Sequence, residues 1–353
     1  MLSAAERELG FTSESVQLGH HRFGYQADRT FGNSILSVEL YRFYLLFYAI
    51  KNFDVVHFNS GQSFFPKKFY PPTTESYTFP QRIYNLYAHL LQLQDVRILR
   101  LFGKAVIVTF QGDDIRSPNL LSDSQLVQST PTYSYRKNRN NLKLAAKWGK
   151  LADQIYYLNP DLKQYICGNS EFMAYASVDL RKIRLKDMKL VDNRPFIFLH
   201  APSDRAVKGT AYIIAAFEKL KQNNINVELK ILENVSHQEI LSALENCDAV
   251  IDQLLVGWYG GFAVEAMANM RPVIAWIDPS QLENTPVEFN SALPIISASA
   301  EDVESAMLKL LNMSSPKYQE LAEESRKFIE DWHSPIKIAQ QTTQRYIDIL
   351  WPK

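Results

Sequence analysis

Short apolar runs of the kind that fill buried parallel strands recur along the chain. Each is followed by a polar or glycine-bearing turn and then by a stretch of helix formers. Strands are predicted over 54–58, 105–110, 155–158, 196–200, 227–232, 249–251 and 273–275, with a shorter one at 15–18. Helices are predicted over 2–9, 35–50, 136–150, 211–222, 240–246, 262–268, 300–311, 317–332 and 335–349, with one more ending at Leu90 and another starting at Asn159-Pro160-Asp161-Leu162. Gly10 stops the first helix, and Ser236 with Glu239 forms a capping-box pattern ahead of the helix at 240. The stretch VIDQLLVGWYGGFAVEAMANMRPVIA, 250–275, organises the rest. It reads as strand, glycine-rich turn, helix and second strand, with Pro272 ending the helix. Bare amides and the positive helix end make the mouth at Gly260-Gly261 an anion site, and Glu265 sits about one turn inside it.

The segment GGFAVEAMANMRPVIAW resembles the donor-site motif of family 4-type retaining glycosyltransferases, the glycosyl transferases group 1. The family pattern is Glu-Gly-Phe-Gly, then Glu-Ala-Met-Ala and Gly-x-Pro-Val-Ile-Ala. The resemblance implies an α/β chain of the GT-B fold, two Rossmann-like doubly wound parallel-sheet domains with a cleft between them. The implied division is an acceptor-side domain over 1–191, a nucleotide-sugar domain over 192–334 and a final helix over 335–353 that crosses back. It places Glu265 on the ribose of a nucleotide diphosphate sugar, and the backbone of Gly260, Gly261 and Phe262 beside that donor. Lys208-Gly209, with Arg205 at a shorter gap than usual, matches the residues that grip the diphosphate. Glu233-Asn234-Val235 falls where relatives meet the base, partly by backbone, and so assigns Asn234 and Val235 to the donor.

On the acceptor side, Asp54-Val55-Val56-His57 resembles the family strand whose far end carries Asn59 and Gly61. Gln111-Gly112-Asp113-Asp114-Ile115-Arg116 matches at Gly112, Asp114 and Arg116. The implied catalytic residues are Gln111 and Asp114, with Arg116 beside the acceptor; Asp114 and Arg116 read equally as a local structural ion pair. Three positions depart from the pattern. Gly257 stands for the first motif Glu, Gln111 for a His, and Asn269-Met270 for a small residue and Gly. Gln111 donates and accepts hydrogen bonds but takes no proton at neutral pH. The implied reaction is retaining transfer of the sugar to an acceptor hydroxyl in polysaccharide or glycoconjugate biosynthesis. No cofactor and no metal is expected, because cations take the metal's place on the diphosphate. Two rivals stay open: a non-catalytic assembly subunit, favoured by Gly257 and Gln111, and another GT-B enzyme such as a nucleotide-sugar epimerase.

At 353 residues, two domains are expected, each with its own core. Lys+Arg and Asp+Glu are both 38, so no global field favours nucleic acid. The partners are then a nucleotide-sugar donor and a saccharide or lipid-linked saccharide acceptor. Cys167 and Cys247 lie far apart and fit buried positions in a reducing compartment, so a cytoplasmic location is expected. The run 35–50 is too short and too charged, with Glu39 and Arg42, to span a bilayer; it reads as a core helix. The aromatic stretch 64–94 carries Pro66, Pro71, Pro72 and Pro80 and reads either as an acceptor-side lid or as a packed loop.

RKNRNNLKLAAKWGK, 136–150, holds six basic residues and no acid around Trp148. It is a candidate for peripheral contact with an anionic membrane on its inner face, the alternative being a solvated amphipathic helix. His20-His21 and Phe23-Gly24-Tyr25 read as loop, and Asp192-Asn193-Arg194-Pro195 as the linker. The chain enters its first helix at once, without the family's first strand and glycine turn. The native protein is therefore expected to be longer at its N-terminus, or its first domain to be weakly stable. The alternative is an ordinary helix start, with Ser3-Ala-Ala-Glu6 as a capping box.

Overall fold

The computed structural model describes the chain except for residues 20–26, 69–76, 113, 117–134, 184–193 and 353, and gives backbone only at 135–139. His20, His21, Phe23, Gly24, Tyr25, Pro71, Pro72, Asp113, Asp192 and Asn193 lie outside the described residues. The chain forms two compact units. The N-terminal unit comprises Ser3–Asp123, Pro131–Met173 and Ala339–Lys353, and the C-terminal unit is built on Ala174–Ile338.

The N-terminal unit runs α1 (Leu2–Glu8), β1 (Val16–Leu18), β2 (Arg29–Phe31), α2 (Ile35–Asn52), β3 (Val55–Asn59), α3 (Phe79–Leu91), α4 (Gln94–Leu101), β4 (Ala105–Phe110), α5 (Tyr135–Leu151), β5 (Gln154–Tyr157) and β6 (Ser170–Phe172). Its main sheet is parallel in the order β3-β4-β5-β6. Every residue of β4 is buried, which is why its sequence is an unbroken apolar run rather than an alternating one. Trp148 is buried against Phe58 and donates its indole N–H to the Gly61 carbonyl at 2.9 Å. β1 and β2 form a separate parallel pair packed on α2. Asp28 anchors this corner, accepting from Arg7, Ser3 and Ser15, and the Arg7 guanidinium holds its carboxyl well below the usual range.

Several expectations change here. Ser3 lies inside α1 and donates to Asp28, while Glu6 accepts from Ser13, so the two do not form a capping box. The segment after Asn159 is a 3-10 helix, Pro160–Tyr165, rather than an α-helix. Helix α4 was not foreseen. It is fixed by the buried Asp95 carboxylate, which accepts from Ser63 Oγ and the Phe65 amide, each at 2.9 Å. Cys247 is buried, its thiol pushed up to about 12, but Cys167 is exposed. Helix α2 is only half a core helix: Leu45, Leu46 and Ala49 are buried while Leu36, Leu40 and Phe47 face outward. Among the described residues no helix is long and apolar enough to cross a membrane.

The C-terminal unit runs β7 (Phe196–His200), α6 (Arg205–Lys208), α7 (Thr210–Gln222), β8 (Val227–Ile231), α8 (His237–Leu244), β9 (Ala249–Ile251), α9 (Gly261–Ala268), β10 (Val273–Ala275), α10 (Val287–Ala292), β11 (Ile296–Ser297), α11 (Val303–Leu311) and α12 (Ser315–Trp332). α13 (Pro335–Leu350) begins here, and its residues from Ala339 belong to the N-terminal unit. The sheet is parallel in the order β11-β10-β9-β7-β8. β8 follows β7 on one side and β9 lies on the other, so the winding reverses between β7 and β9. Ligands of doubly wound sheets bind beyond the carboxyl ends of the strands at such a reversal.

Three imidazoles are locked inside. His57 sits between Thr109 Oγ1 at 2.6 Å and the Tyr346 hydroxyl at 2.5 Å. His200 bonds the Ile251 carbonyl at 2.8 Å and Thr210 Oγ1 at 2.9 Å. His333 bonds the Tyr175 carbonyl and the Tyr259 hydroxyl, both at 2.9 Å. A nitrogen facing a carbonyl must donate, so in His200 and His333 Nδ1 carries the proton and Nε2 accepts from the hydroxyl. Burial pushes all three rings down to about 4. Below about pH 6.5 the unfolded chain takes up protons that these rings refuse, so their contribution is complete above that pH and is lost as pH falls toward 4. The melting temperature should therefore hold from neutrality to about pH 6.5 and then drop, each ring costing on the order of 2 kcal/mol by pH 4.5. A melting temperature constant across that window in a calorimetric pH series would contradict the neutral, buried rings.

Candidate functional site

The reversal between β7 and β9 brings two loops together. After β7, Asp204 caps the single turn of α6 through the Ala206 and Val207 amides. Gly209, at φ 76°, then turns the chain into α7. Lys208, ending α6, donates from Nζ to Asp252 Oδ1 and Gln253 Oε1, both at 2.7 Å, in the loop after β9. The other Asp252 oxygen accepts the Gly260 amide at 2.6 Å. One carboxylate thus fixes both the lysine and the residue that caps α9. A Cβ at Gly260 would stand 3.2 Å from Asp252 Oδ2 and 3.3 Å from Lys208 Nζ, a tight contact that a side chain would relieve only by shifting those groups. The helix beyond it starts at Gly261, and its first-turn amides at Gly261 and Phe262 point out of the helix end, as those of every α-helix do.

Glu265 lies on the inner side of α9's first turns, 12% exposed, with Oε1 2.7 Å from His237 Nε2. Burial raises its carboxyl, partly offset by His237. His237 is placed by the capping box of Ser236 and Glu239 that starts α8. Arg205 is half exposed and faces Glu233, with Nε–Oε1 at 2.9 Å and Nη2–Oε2 at 2.5 Å. Asn234 follows, exposed and left-handed at φ 54°, and then the half-buried Val235. Arg205, Lys208, Gly209, Asn234, Val235, Gly260, Gly261, Phe262 and Glu265 therefore all lie on loops and helix starts at the carboxyl end of one sheet. Sequence reading missed Asp252, Gln253, Glu233 and His237, the acceptors and the imidazole that hold these groups in place. The adjacent Asp252-Gln253 pair directly after an apolar strand was the available signal.

The second set lies in the N-terminal unit, on the loops after β3 and β4. Asn59 is the exposed last residue of β3. Gly61 is buried at φ 59°, and a Cβ there would meet the Phe110 ring at 2.7 Å. The Asp114 carboxylate accepts the amides of Gln111 at 3.0 Å and Gly112 at 2.8 Å, closing a tight turn, and burial raises its carboxyl. The Gln111 side chain is exposed. Arg116 forms a buried two-pronged pair with Asp161, at 2.7 and 3.0 Å, so its ion pair is with the segment after β5 rather than with Asp114.

Gly257 has a structural cause. It sits at φ 78°, and a side chain there would press on Asp278 Cβ at 3.0 Å. A side chain at this position is therefore strained by the backbone and by its neighbour.

No family model matches the chain, and no curated protein matches its sequence. Its fold does match solved structures. Sucrose-phosphate synthase from Thermosynechococcus elongatus is 12% identical, with 99% of this chain and 91% of that chain covered and a TM-score of 0.62. HepE from Anabaena, solved in complex with UDP, is 11% identical over 94% and 98%, with a TM-score of 0.55. WaaG, a glycosyltransferase involved in lipopolysaccharide biosynthesis, is 14% identical over 96% and 100%, with a TM-score of 0.51. Replacing Gly257 with Glu should cost about 2 kcal/mol or more, from the left-handed backbone and the contact with Asp278. A denaturant titration that finds the variant as stable as the parent would show that the loop accepts the family residue. These matches give the chain the GT-B fold.

Proposed function

We propose that the chain is a glycosyltransferase that moves a sugar from a nucleoside diphosphate sugar to an acceptor hydroxyl, retaining anomeric configuration and needing no metal ion. The observation that carries this reading is the cluster at the β7–β9 reversal, where an ammonium, a helix N-terminus and a buried carboxylate are held by one another. The GT-B fold and the UDP bound by HepE agree with it.

Each group has capacity to spare. An ammonium has three donors, and Lys208 spends two on Asp252 and Gln253, leaving one for a phosphate oxygen. The Gly261 and Phe262 amides add uncharged donors at the positive end of α9. Glu265 spends Oε1 on His237 and keeps Oε2 for the ribose hydroxyls. The cations differ in how easily they are freed. An ion pair at the surface such as Arg205–Glu233 is weakened by solvent, so a diphosphate can displace Glu233. The Lys208–Asp252 pair is buried and stays closed.

In the reaction the bond from the anomeric carbon to the diphosphate oxygen breaks and a bond to the acceptor oxygen forms. The acceptor proton passes to the departing diphosphate on the same face, so Gln111 need not take it. Lys208, Arg205 and the α9 amides stabilise the charge that develops on the diphosphate. The base lies beside the backbone of Asn234 and Val235. Asn59, Gly61, Gln111, Asp114 and Arg116 form or support the acceptor side, which takes a saccharide or lipid-linked saccharide in polysaccharide or glycoconjugate assembly in the cytoplasm. A second reading, a non-catalytic assembly subunit, is favoured by Gly257, whose left-handed backbone and contact with Asp278 disfavour the first motif carboxylate. Slow hydrolysis of the donor without acceptor separates the two, since only an enzyme turns over.

Lys208→Ala should weaken UDP binding by about 1.5–3 kcal/mol, the range for a charge-assisted hydrogen bond. Calorimetry showing unchanged affinity in a folded variant would remove Lys208 from the diphosphate. Glu265→Gln should lower affinity for UDP more than for its 2′-deoxy analogue, because the carboxylate has one oxygen for His237 and another for the ribose, where an amide has a single acceptor oxygen. Equal losses for both nucleotides would take Glu265 off the ribose.

A further inference from the structure

Helix α2 is apolar on both sides. Its inner side is core, and its outer side carries Leu36, Leu40, Phe43 and Phe47, with Leu40 67% and Phe47 68% exposed. From Leu36 to Phe47 the only charged residues are Glu39 and Arg42, which pair with each other at 3.0 Å. The Tyr87 hydroxyl of α3 donates to the same Glu39 at 2.9 Å, so the two helices are neighbours. Helix α3 shows a second outward row, Phe79, Ile83, Leu86 and Leu90, with Phe79 76% and Leu90 64% exposed. Single exposed apolar side chains are ordinary, but adjoining rows on neighbouring helices mark a contact surface.

The charge beside these rows has one sign. Lys68, Arg82 and His89 line a groove together with Leu86. The ammonium of Lys147 on α5 is held below its usual range by burial and by Lys68, Arg97 and Lys143. Among the described residues no carboxylate pairs with Lys68, Arg82, Lys143 or Lys147. From 67 to 94 the sequence holds one acid, Glu75, against Lys67, Lys68, Arg82 and His89. Trp148 of the basic helix is buried, so α5 contributes cations while α2 and α3 supply the apolar surface.

We propose that the N-terminal unit docks on an anionic lipid bilayer through the outer faces of α2 and α3. The apolar rows enter the boundary between headgroups and acyl chains. The cations of α3 and α5 meet lipid phosphates, and Tyr41 and Tyr44, both exposed, sit at headgroup depth. A second copy of the chain is the less favourable occupant, because a two-fold contact places the same cationic rim against itself. The inference stands apart from the transfer reaction, and its test reads binding alone.

The test is flotation of the full chain with phosphatidylcholine vesicles, with and without a quarter of phosphatidylglycerol. At low salt the anionic vesicles should bind at least about tenfold better than the neutral ones, since several basic residues beside the apolar rows are attracted to an anionic surface. Ile83→Ser with Leu90→Ser should reduce that binding at least about tenfold while the melting temperature stays unchanged, as both positions are exposed. Arg82→Glu with Lys143→Glu should abolish the preference for anionic vesicles. No flotation, or equal flotation of parent and variants, would overturn the proposal. So would a dimer in sedimentation velocity that the Ile83→Ser, Leu90→Ser variant dissolves, because a second copy would then cover the face.

Discussion

The Asp252 carboxylate is the constraint on which the C-terminal unit's loops depend. It stands at the end of β9, beside the strand reversal, 1% exposed, and one oxygen takes the Lys208 ammonium while the other takes the Gly260 amide. A buried carboxylate is costly unless its charge is met, and breaking such a pair costs about 3–5 kcal/mol. That cost orders the neighbourhood. Lys208 is held away from solvent, Gly260 is crowded by both partners, and α9 starts where its capping amide reaches Asp252. The carboxylate thus offsets the lysine's positive charge and fixes where its donors stand. Arg205, paired with the half-buried Glu233, is held less tightly.

Much of this was legible in the sequence because the signals were local. Strands such as 105–110 and 196–200 are continuous apolar runs, and they are strands because both faces of a parallel sheet are covered. Ser236 and Glu239 spell out a helix start that forms as read. Lys208-Gly209 ends one helix and begins the next, because the left-handed turn at φ 76° is one that glycine adopts without strain. What stayed hidden were partners distant in sequence. Asp161 closes on Arg116 from 45 positions away, and His237 on Glu265 from 28. No spacing rule reports such pairs, since topology alone brings them together. Met270 shows a related limit. It replaces the family's glycine yet keeps a glycine-like φ of 58°, so the backbone holds the motif's shape where the residue letter does not.

The two sets of candidate residues are built differently. In the C-terminal unit, charged side chains from several loops meet one another, and the arrangement rests on the Arg205–Glu233 and Lys208–Asp252 ion pairs. In the N-terminal unit the turn after β4 is closed by Asp114 on its own backbone amides, and the loop after β3 is pinned by Trp148 from α5. Side-chain-to-amide turns and an indole bond are little affected by salt, while exposed ion pairs weaken with it. Ionic strength should therefore act on the Arg205–Glu233 pair more than on the N-terminal set.

The bond between His57 and Tyr346 joins positions 289 apart in the chain, both within the N-terminal unit. A ribosome releases the chain from its first residue onward, so β3 emerges long before the helix whose tyrosine completes its surroundings. The C-terminal unit, continuous over most of its length, can close while that helix is still being made. The first unit to be synthesised is thus the last to be finished. Until then its sheet presents His57 and its apolar neighbours to whatever is nearby, a time window in which the unfinished unit is open to association.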